Sequence, residues 1–381
     1  MQFFVQRITN LAGLEKLASE WEEIESQSFP RTPFTSLLWN QLWWRHFRED
    51  RLLVRDELYA LAVRDEQRRL IALAPLMRTL RPGWGPLRVR EIQFLGADPN
   101  ITELRGIVCR PEHHSEAVRT IHAHLMEKAG DWDSLHWCGI PASQSLDSPV
   151  ALLPYRTVRN YYLRLPEGWP ELKSGLSRNM KEALRKCQNS LKREGHEAIF
   201  RAVKKPAEID TALKIFFELH SARAGLDGAV THPDTFKSAR SRRFLRAYAT
   251  RMAQRDQLRI FQLSIGGTVV ATRIGFVFGE EVYLYYSGYS PEWSKFSVMT
   301  TLTVESIKWA LKKKFKIVNL STGSDYSKAR WQPAETVVNE FRIQSPLDQH
   351  GIVYNKLLHL VRRAPPRSIL GRLVAIARRG R

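Results

Sequence analysis

Apolar and polar positions alternate along this chain with two periods that exchange several times. Phe3 to Arg7 reads as a short strand, and Leu14, Leu17, Ala18 and Trp21 then form a stripe that predicts a helix over 11–26. Pro30 and Pro33 end it. In PFTSLLWNQLWWRHF, Thr35 or Ser36 is suited to cap a second helix whose tryptophans read as core, since an indole buries a large apolar area. LYALAVRD and LIALAPLMRT, separated by EQRR, predict a hairpin, and RPGWGPLRVREIQFLG a loop followed by a strand. A helix over 115–128 and the strand SLHWCGIP complete this half, and a polar, proline-bounded stretch from Ser143 to Pro154 reads as a linker.

The second half repeats that order. A strand over 159–164 precedes the basic helix SRNMKEALRKCQNSLKREG, which Gly195 stops. HEAIFRAV reads as a strand, and helices follow over 209–223 and 235–254. LRIFQLSIGGTVVATRIGFVFGEEVYLYYSGY then reads as an antiparallel meander turning at Gly266-Gly267 and Gly279-Glu280. A helix opened by Ser297 or Thr303 leads to the strand Ile317 to Leu320. The predicted class is α/β, with mixed sheets and flanking helices. Two copies of one module would occupy residues 1–150 and 151–360, with a basic amphipathic tail over 361–381.

The 381 residues are enough for two such units. A formal net charge of +20 favours an anionic partner without choosing among cofactor phosphate, nucleic acid and membrane. Cys109, Cys138 and Cys187 have no close spacing, which disfavours a zinc knuckle or a disulfide framework. The first residues lack a basic region followed by an apolar segment, and no stretch is apolar enough to span a bilayer. A cytoplasmic location is expected, with contact at the inner face of an anionic membrane through the tail.

The stretch from Val282 to Trp331 draws the chemistry together: strand, polar loop, helix, strand and second polar loop. Such a unit brings its two loops to the same strand ends. His220, with Arg223 three residues on, is a candidate base because imidazole titrates near neutrality, though a structural histidine capped by a neighbour is the favoured reading. Tyr286 and Tyr289 are candidates for protonating a leaving group or lining a pocket, and strict alternation puts Tyr286 on the face opposite Tyr283 and Tyr285. Lys328 is placed to neutralise a phosphate or oxyanion, with Asp325 to orient it, although solvated loop charges compete with that reading.

In order and spacing, LIALAPL, EIQFLG, FFELHSAR, GTVVATRIGF, YLYYSGYSPEWSKFS and LSTGSDYSKARW resemble the CelD/BioF2-like acetyltransferase family of the GNAT superfamily. The chain is also similar in arrangement to the peptidoglycan aminoacyl transferases, whose donor is charged tRNA. The resemblance implies two tandem GNAT-like domains and an N-acyltransferase whose better-kept catalytic half is the second. It implies acyl-CoA or acetyl-CoA as donor, no metal, and a small-molecule or lipid amine as acceptor, in envelope or polysaccharide biosynthesis. His220, Tyr286, Asp325 and Lys328 would then be catalytic; Lys295, Ser297, Thr300 and Thr301 would hold the donor; Arg223, Tyr289, Tyr326 and Trp331 would hold the acceptor. Ser297-Val298-Met299-Thr300 stands where related sequences carry a Pro-Gly pair. The alternatives are aminoacyl transfer from charged tRNA, set behind the first for want of a recognised RNA-binding module, and a non-catalytic envelope protein with a degenerate transferase fold.

Overall fold

A computed structural model of the chain describes residues 3–83, 88–98, 100–144, 153–225, 233–323 and 326–347. The tail, Asp325 and most of the expected linker lie outside them. The first half runs β1 (Phe4–Ile8), α1 (Leu11–Glu15), α2 (Ala18–Ser26), α3 (Leu37–Phe47), β2 (Asp50–Arg51) and β3 (Val54–Leu58). It continues with β4 (Ala60–Arg64), β5 (Leu70–Ala74), β6 (Leu76–Arg81), β7 (Val89–Phe94), β8 (Val108–Cys109), α4 (His114–Glu127) and β9 (Ser134–Pro141). The second half runs β10 (Arg156–Arg164), α5 (Trp169–Gly175), α6 (Arg178–Arg193), β11 (Ala198–Val203), α7 (Pro206–Ala224) and α8 (Ala239–Gln254). It ends with β12 (Leu258–Ile265), β13 (Thr268–Phe278), β14 (Glu281–Tyr289), α9 (Val298–Lys312), β15 (Ile317–Thr322), α10 (Tyr326–Ala329) and β16 (Ala334–Gln344).

The helix expected over 11–26 is two helices, because the chain turns between Glu15 and Ala18. Ser36 caps α3, its Oγ accepting from the Trp39 amide at 3.1 Å. The predicted hairpin forms between β4 and β5, but its arms are each split. At Tyr59 and Pro75 the chain passes from a four-stranded sheet, β1-β4-β5-β8, into a twelve-stranded one. Pro75 suits that corner because it has no amide to offer a ladder.

The large sheet has the order β11-β12-β13-β14-β15-β10-β16-β9-β7-β6-β3-β2. Two strand pairs in it are parallel, β14 with β15 and β7 with β9. Each closes a run of antiparallel strands, so the sheet reads as two like halves meeting where β10 and β16 pair. The echo in element order therefore has a structural counterpart, in a mixed α/β architecture with helices on its sheets. The sequence reading had no strand at 334–344, yet β16 joins β10 to β9 across the middle.

Gly266 and Gly267 turn the β12–β13 hairpin with φ of 56° and 80°, the region glycine enters without a Cβ penalty. One apolar cluster spans both halves, from Trp21, Trp39 and Trp43 to Phe216, Phe244, Tyr248 and Tyr285. The tryptophans of α3 are core, as their pattern implied: Trp39 meets Phe244 and Tyr248 edge-on, each at 4.8 Å.

Candidate functional site

β14 and β15 pair only from Glu281 to Tyr283, opposite Ile317 to Asn319. Beyond Tyr283 they part, and a cavity of about 780 Å³ opens in the fork, lined from β14, β15, α9, α10 and the loop carrying Asn100 and Glu103. Its size lies within the roughly 300–1,000 Å³ of ligand pockets. The two polar loops that the sequence placed together do meet on it.

A bulge shapes the wall. Ser287 stands opposite Arg273 while Leu284 stands opposite Gly275, so β14 carries an extra residue there. The alternation expected for the tyrosines is broken by it. Tyr283, Tyr285 and Tyr286 all turn their hydroxyls to one loop. Tyr283 donates to Glu103 Oε2 at 2.5 Å, Tyr285 to the carbonyl of Ile101, and Tyr286 to the carbonyl of Asn100 at 2.5 Å. The loop is held from its other side by Asp98, which accepts from the amides of Ile101 and Thr102 and from the Trp43 indole at 2.7 Å. The core helix α3 and the strand β14 thus fix Glu103 between them.

Glu103 is the acidic residue of the described cavity lining. Burial pushes its carboxyl above the usual carboxylate range, against the Tyr283 hydroxyl, Lys328 and Ser321, which favour the charged form. Ser321 donates to it at 2.8–2.9 Å. Ser321 has a φ of 71°, and its amide is held by Asn319 Oδ1 at 2.8 Å. Arg156, Arg159, Arg223, Arg273, Lys328 and Arg330 line the same cavity, and Lys328 and Arg273 are the cations that favour the charged form of Glu103. Arg330 donates to Thr300 Oγ1 at 2.6 Å, at the start of α9, where Ser297 takes the N-cap place with a φ of 54° and no side-chain cap. A helix start and a guanidinium together favour an anion.

The expected residues divide. Tyr286, Lys328, Ser297, Thr300, Arg223, Tyr289 and Trp331 line the cavity. Lys328 Nζ donates to the carbonyl of Thr322, and Arg223 to Ser287 Oγ at 3.0 Å. His220, Lys295, Thr301 and Tyr326 do not line it. Lys295 pairs with Glu194 at 3.1 Å on the surface, and Tyr326 is 77% exposed. His220 is buried among Phe216, Phe236 and Tyr286, its Nδ1 3.0 Å from the carbonyl of Ser287. Burial lowers its basicity, outweighing that hydrogen bond and the Asp234 carboxylate 3.9 Å from its Nε2, and the ring packs as a strut between α7 and β14. Asp325 lies outside the described residues. Sequence reasoning missed Glu103, Arg156, Arg159 and Arg273. Arg273 lies in the recognised meander, whereas Glu103 comes from a loop with no periodicity to mark it.

A second polar cluster, His136, Cys138 and Glu340, has ligand atoms within 4.8 Å of one another, close enough to hold a metal ion. Glu340 accepts from or pairs with His136 at 3.1 Å, Arg105 at 3.6 Å and Arg156 at 3.9 Å. Burial opposes its charge, but His136 and the two guanidiniums hold the carboxyl below its ordinary range. Burial pushes the Cys138 thiol up to about 12. The cluster has the chemistry of a compensated ion pair more than of a thiolate metal site.

Residues 178–331, from α6 to the end of the second loop, match the acetyltransferase (GNAT) domain family. The crystal structure of FemX superposes with a TM-score of 0.55 at 10% identity, covering 93% of this chain and 99% of that one. The fold is of the GNAT type. A conserved protein of unknown function from Bacteroides thetaiotaomicron gives a TM-score of 0.47 at 12% identity, over 90% of this chain and 100% of that one. A tandem GNAT protein from the clavulanic acid biosynthesis pathway gives 0.43 at 12% identity, over 90% and 99%. No curated protein matches the sequence. Within this GNAT-type fold the family match spans the helix, fork and loops that build the cavity, and leaves out Glu103, which the first half contributes. Among the described residues no helix is long and apolar enough to cross a membrane.

Proposed function

We propose that the fork cavity is an N-acyltransferase site, in which an acyl or aminoacyl group passes from a polyanionic carrier to an amine. The observation that carries this is Glu103, a carboxyl with raised proton affinity at the wall of a cation-lined cavity, with Lys328 and Arg273 acting on it at an open strand fork. Its carboxylate takes a proton from the acceptor amine as nitrogen attacks the donor carbonyl. The new C–N bond forms, and the carbonyl oxygen gathers charge facing Lys328 and Arg273. As the tetrahedral species collapses, the carrier's oxygen or sulfur leaves and takes up the proton that Glu103 holds. Direct transfer needs no Ser or Cys nucleophile.

Charged tRNA is the favoured carrier. Besides the cavity's cations, α6 presents a basic face with Arg178, Arg185, Lys186 and Arg193 exposed, more cationic surface than a small cofactor needs. Acyl-CoA is the second reading, favoured by Arg330 and the start of α9 as a seat for pyrophosphate. The acceptor class stays an amine, lipid-linked or soluble.

Transfer of labelled aminoacyl groups from charged tRNA, and of acyl groups from coenzyme A thioesters, to a panel of amines tests both readings. Glu103→Gln is expected to cut transfer about 100-fold or more while leaving donor binding intact. Transfer within twofold of the parent chain removes Glu103 from the chemistry. RNA binding that weakens steeply with salt supports the first carrier, whereas thioester turnover without RNA affinity supports the second.

A further inference from the structure

The strand fork occurs twice. β7 and β9 pair in parallel only from Glu91 to Gln93, opposite Ser134 to His136, and then part. A second cavity, of about 450 Å³, opens beside that fork, with Phe94, Leu95, Leu104, Pro141 and Val338 among its walls. Its chemistry is the reverse of the first. The walls are largely apolar, and the guanidinium among the described lining residues, Arg105, is already engaged by Glu340 at 3.6 Å. His114 also lines it, but burial lowers its basicity and its Nδ1 is 3.1 Å from Gln144 Oε1, so among the described lining residues a phosphate finds no free counter-charge.

Two polar side chains in this lining have atoms without a protein partner. Asn160 is 1% exposed and Thr32 3% exposed, and both Asn160 Oδ1 and Thr32 Oγ1 lack a hydrogen bond. The other end of the Asn160 amide reaches Thr336 Oγ1 only at 3.5 Å, so exchanging its oxygen and nitrogen still leaves one end unsatisfied. A buried polar atom left so costs about 1–3 kcal/mol, and native structures seldom keep one. Few polar groups in an apolar cavity of ligand size are what a small amphipath requires.

We propose that this second cavity binds an amphipath with one unbranched alkyl chain and a neutral headgroup that both donates and accepts hydrogen bonds, a hydroxyl or an amide. The alkyl chain lies against the apolar walls, and the headgroup meets Asn160 and Thr32, whose unpartnered atoms are closed off from the cavity until their side chains turn toward it. This binding is independent of acyl transfer at the first cavity. Calorimetry of the full chain with decan-1-ol, decanoate and decyltrimethylammonium tests it. Decan-1-ol is expected to bind about tenfold or more tighter than either ion. Val338→Trp, which fills the cavity, is expected to abolish that binding, and Asn160→Leu to weaken it about tenfold. No binding of decan-1-ol by the parent chain overturns the proposal, as does equal binding of all three probes, the result expected if water alone satisfies the two atoms. Should Val338→Trp fail to fold, unchanged affinity in Asn160→Leu overturns it by itself.

Discussion

Gly288 of β14 packs directly against the backbone of α7. A Cβ built there would lie 2.3 Å from the His220 amide nitrogen, 2.5 Å from Leu219 C and 2.8 Å from His220 Cα. All three are backbone atoms, so no rotamer change relieves the contact. Reaching an ordinary 3.4 Å requires α7 to move about 1 Å away from β14. That shift breaks the 3.0 Å contact between His220 Nδ1 and the Ser287 carbonyl, and strains the 3.0 Å bond from Arg223 to Ser287 in the cavity wall. Overpacking of this kind costs about 1–3 kcal/mol, and the lost buried hydrogen bond about 1 kcal/mol more. Gly288→Ala should therefore lose about 2–4 kcal/mol in urea unfolding, with an unchanged m-value. Donor affinity at the cavity should fall with it. Gly266→Ala is the control: nothing lies within 4 Å of its Cβ, so only the positive φ is penalised, by about 1 kcal/mol. A Gly288→Ala protein within 0.5 kcal/mol of the parent, by about the usual surface tolerance, refutes the idea that backbone contact fixes the wall.

Burial pushes the Glu25 carboxyl up to about 7, with Arg31 opposing and Glu22 adding to the rise. The folded state then keeps a proton that the unfolded chain releases above about pH 4.5, so stability falls as pH rises from about 4.5 to 7. Glu25→Gln should flatten that slope and stabilise the protein at pH 8 by up to about 3 kcal/mol, as pH-dependent melting would show. Arg330→Ala should weaken polyanion binding and lower its dependence on salt by about one counterion, whereas an unchanged slope removes Arg330 from the anion seat. Cys109 and Cys138, both pushed up to about 12 by burial, should resist alkylation at pH 8 in the folded protein and react only on unfolding.

Local order was legible where one face of an element is buried. The stripe of α6, the meander from β12 to β14 and the Ser36 cap follow from periodicity and short-range hydrogen bonding, which depend on neighbours in sequence. The meeting of the two polar loops followed as well, since a strand–helix–strand unit returns its loops to one end. β16 escaped notice although Phe341 and Ile343 alternate with polar neighbours, because its partners, β10 and β9, lie far away in the chain. Glu103 escaped for a like reason. Its role arises from Tyr283 and Ser321, about 180 and 218 residues distant, and from Asp98 and Trp43, which fix its loop. His220 illustrates the converse: an imidazole near an arginine invites a catalytic reading, but only packing shows it enclosed by aromatic rings and tied to a carbonyl. The sequence by itself determined most of the elements and the α/β class. Tertiary structure decided which groups face one cavity, because a β-bulge and two parting strand pairs set side-chain direction and no short-range pattern encodes where distant strands separate.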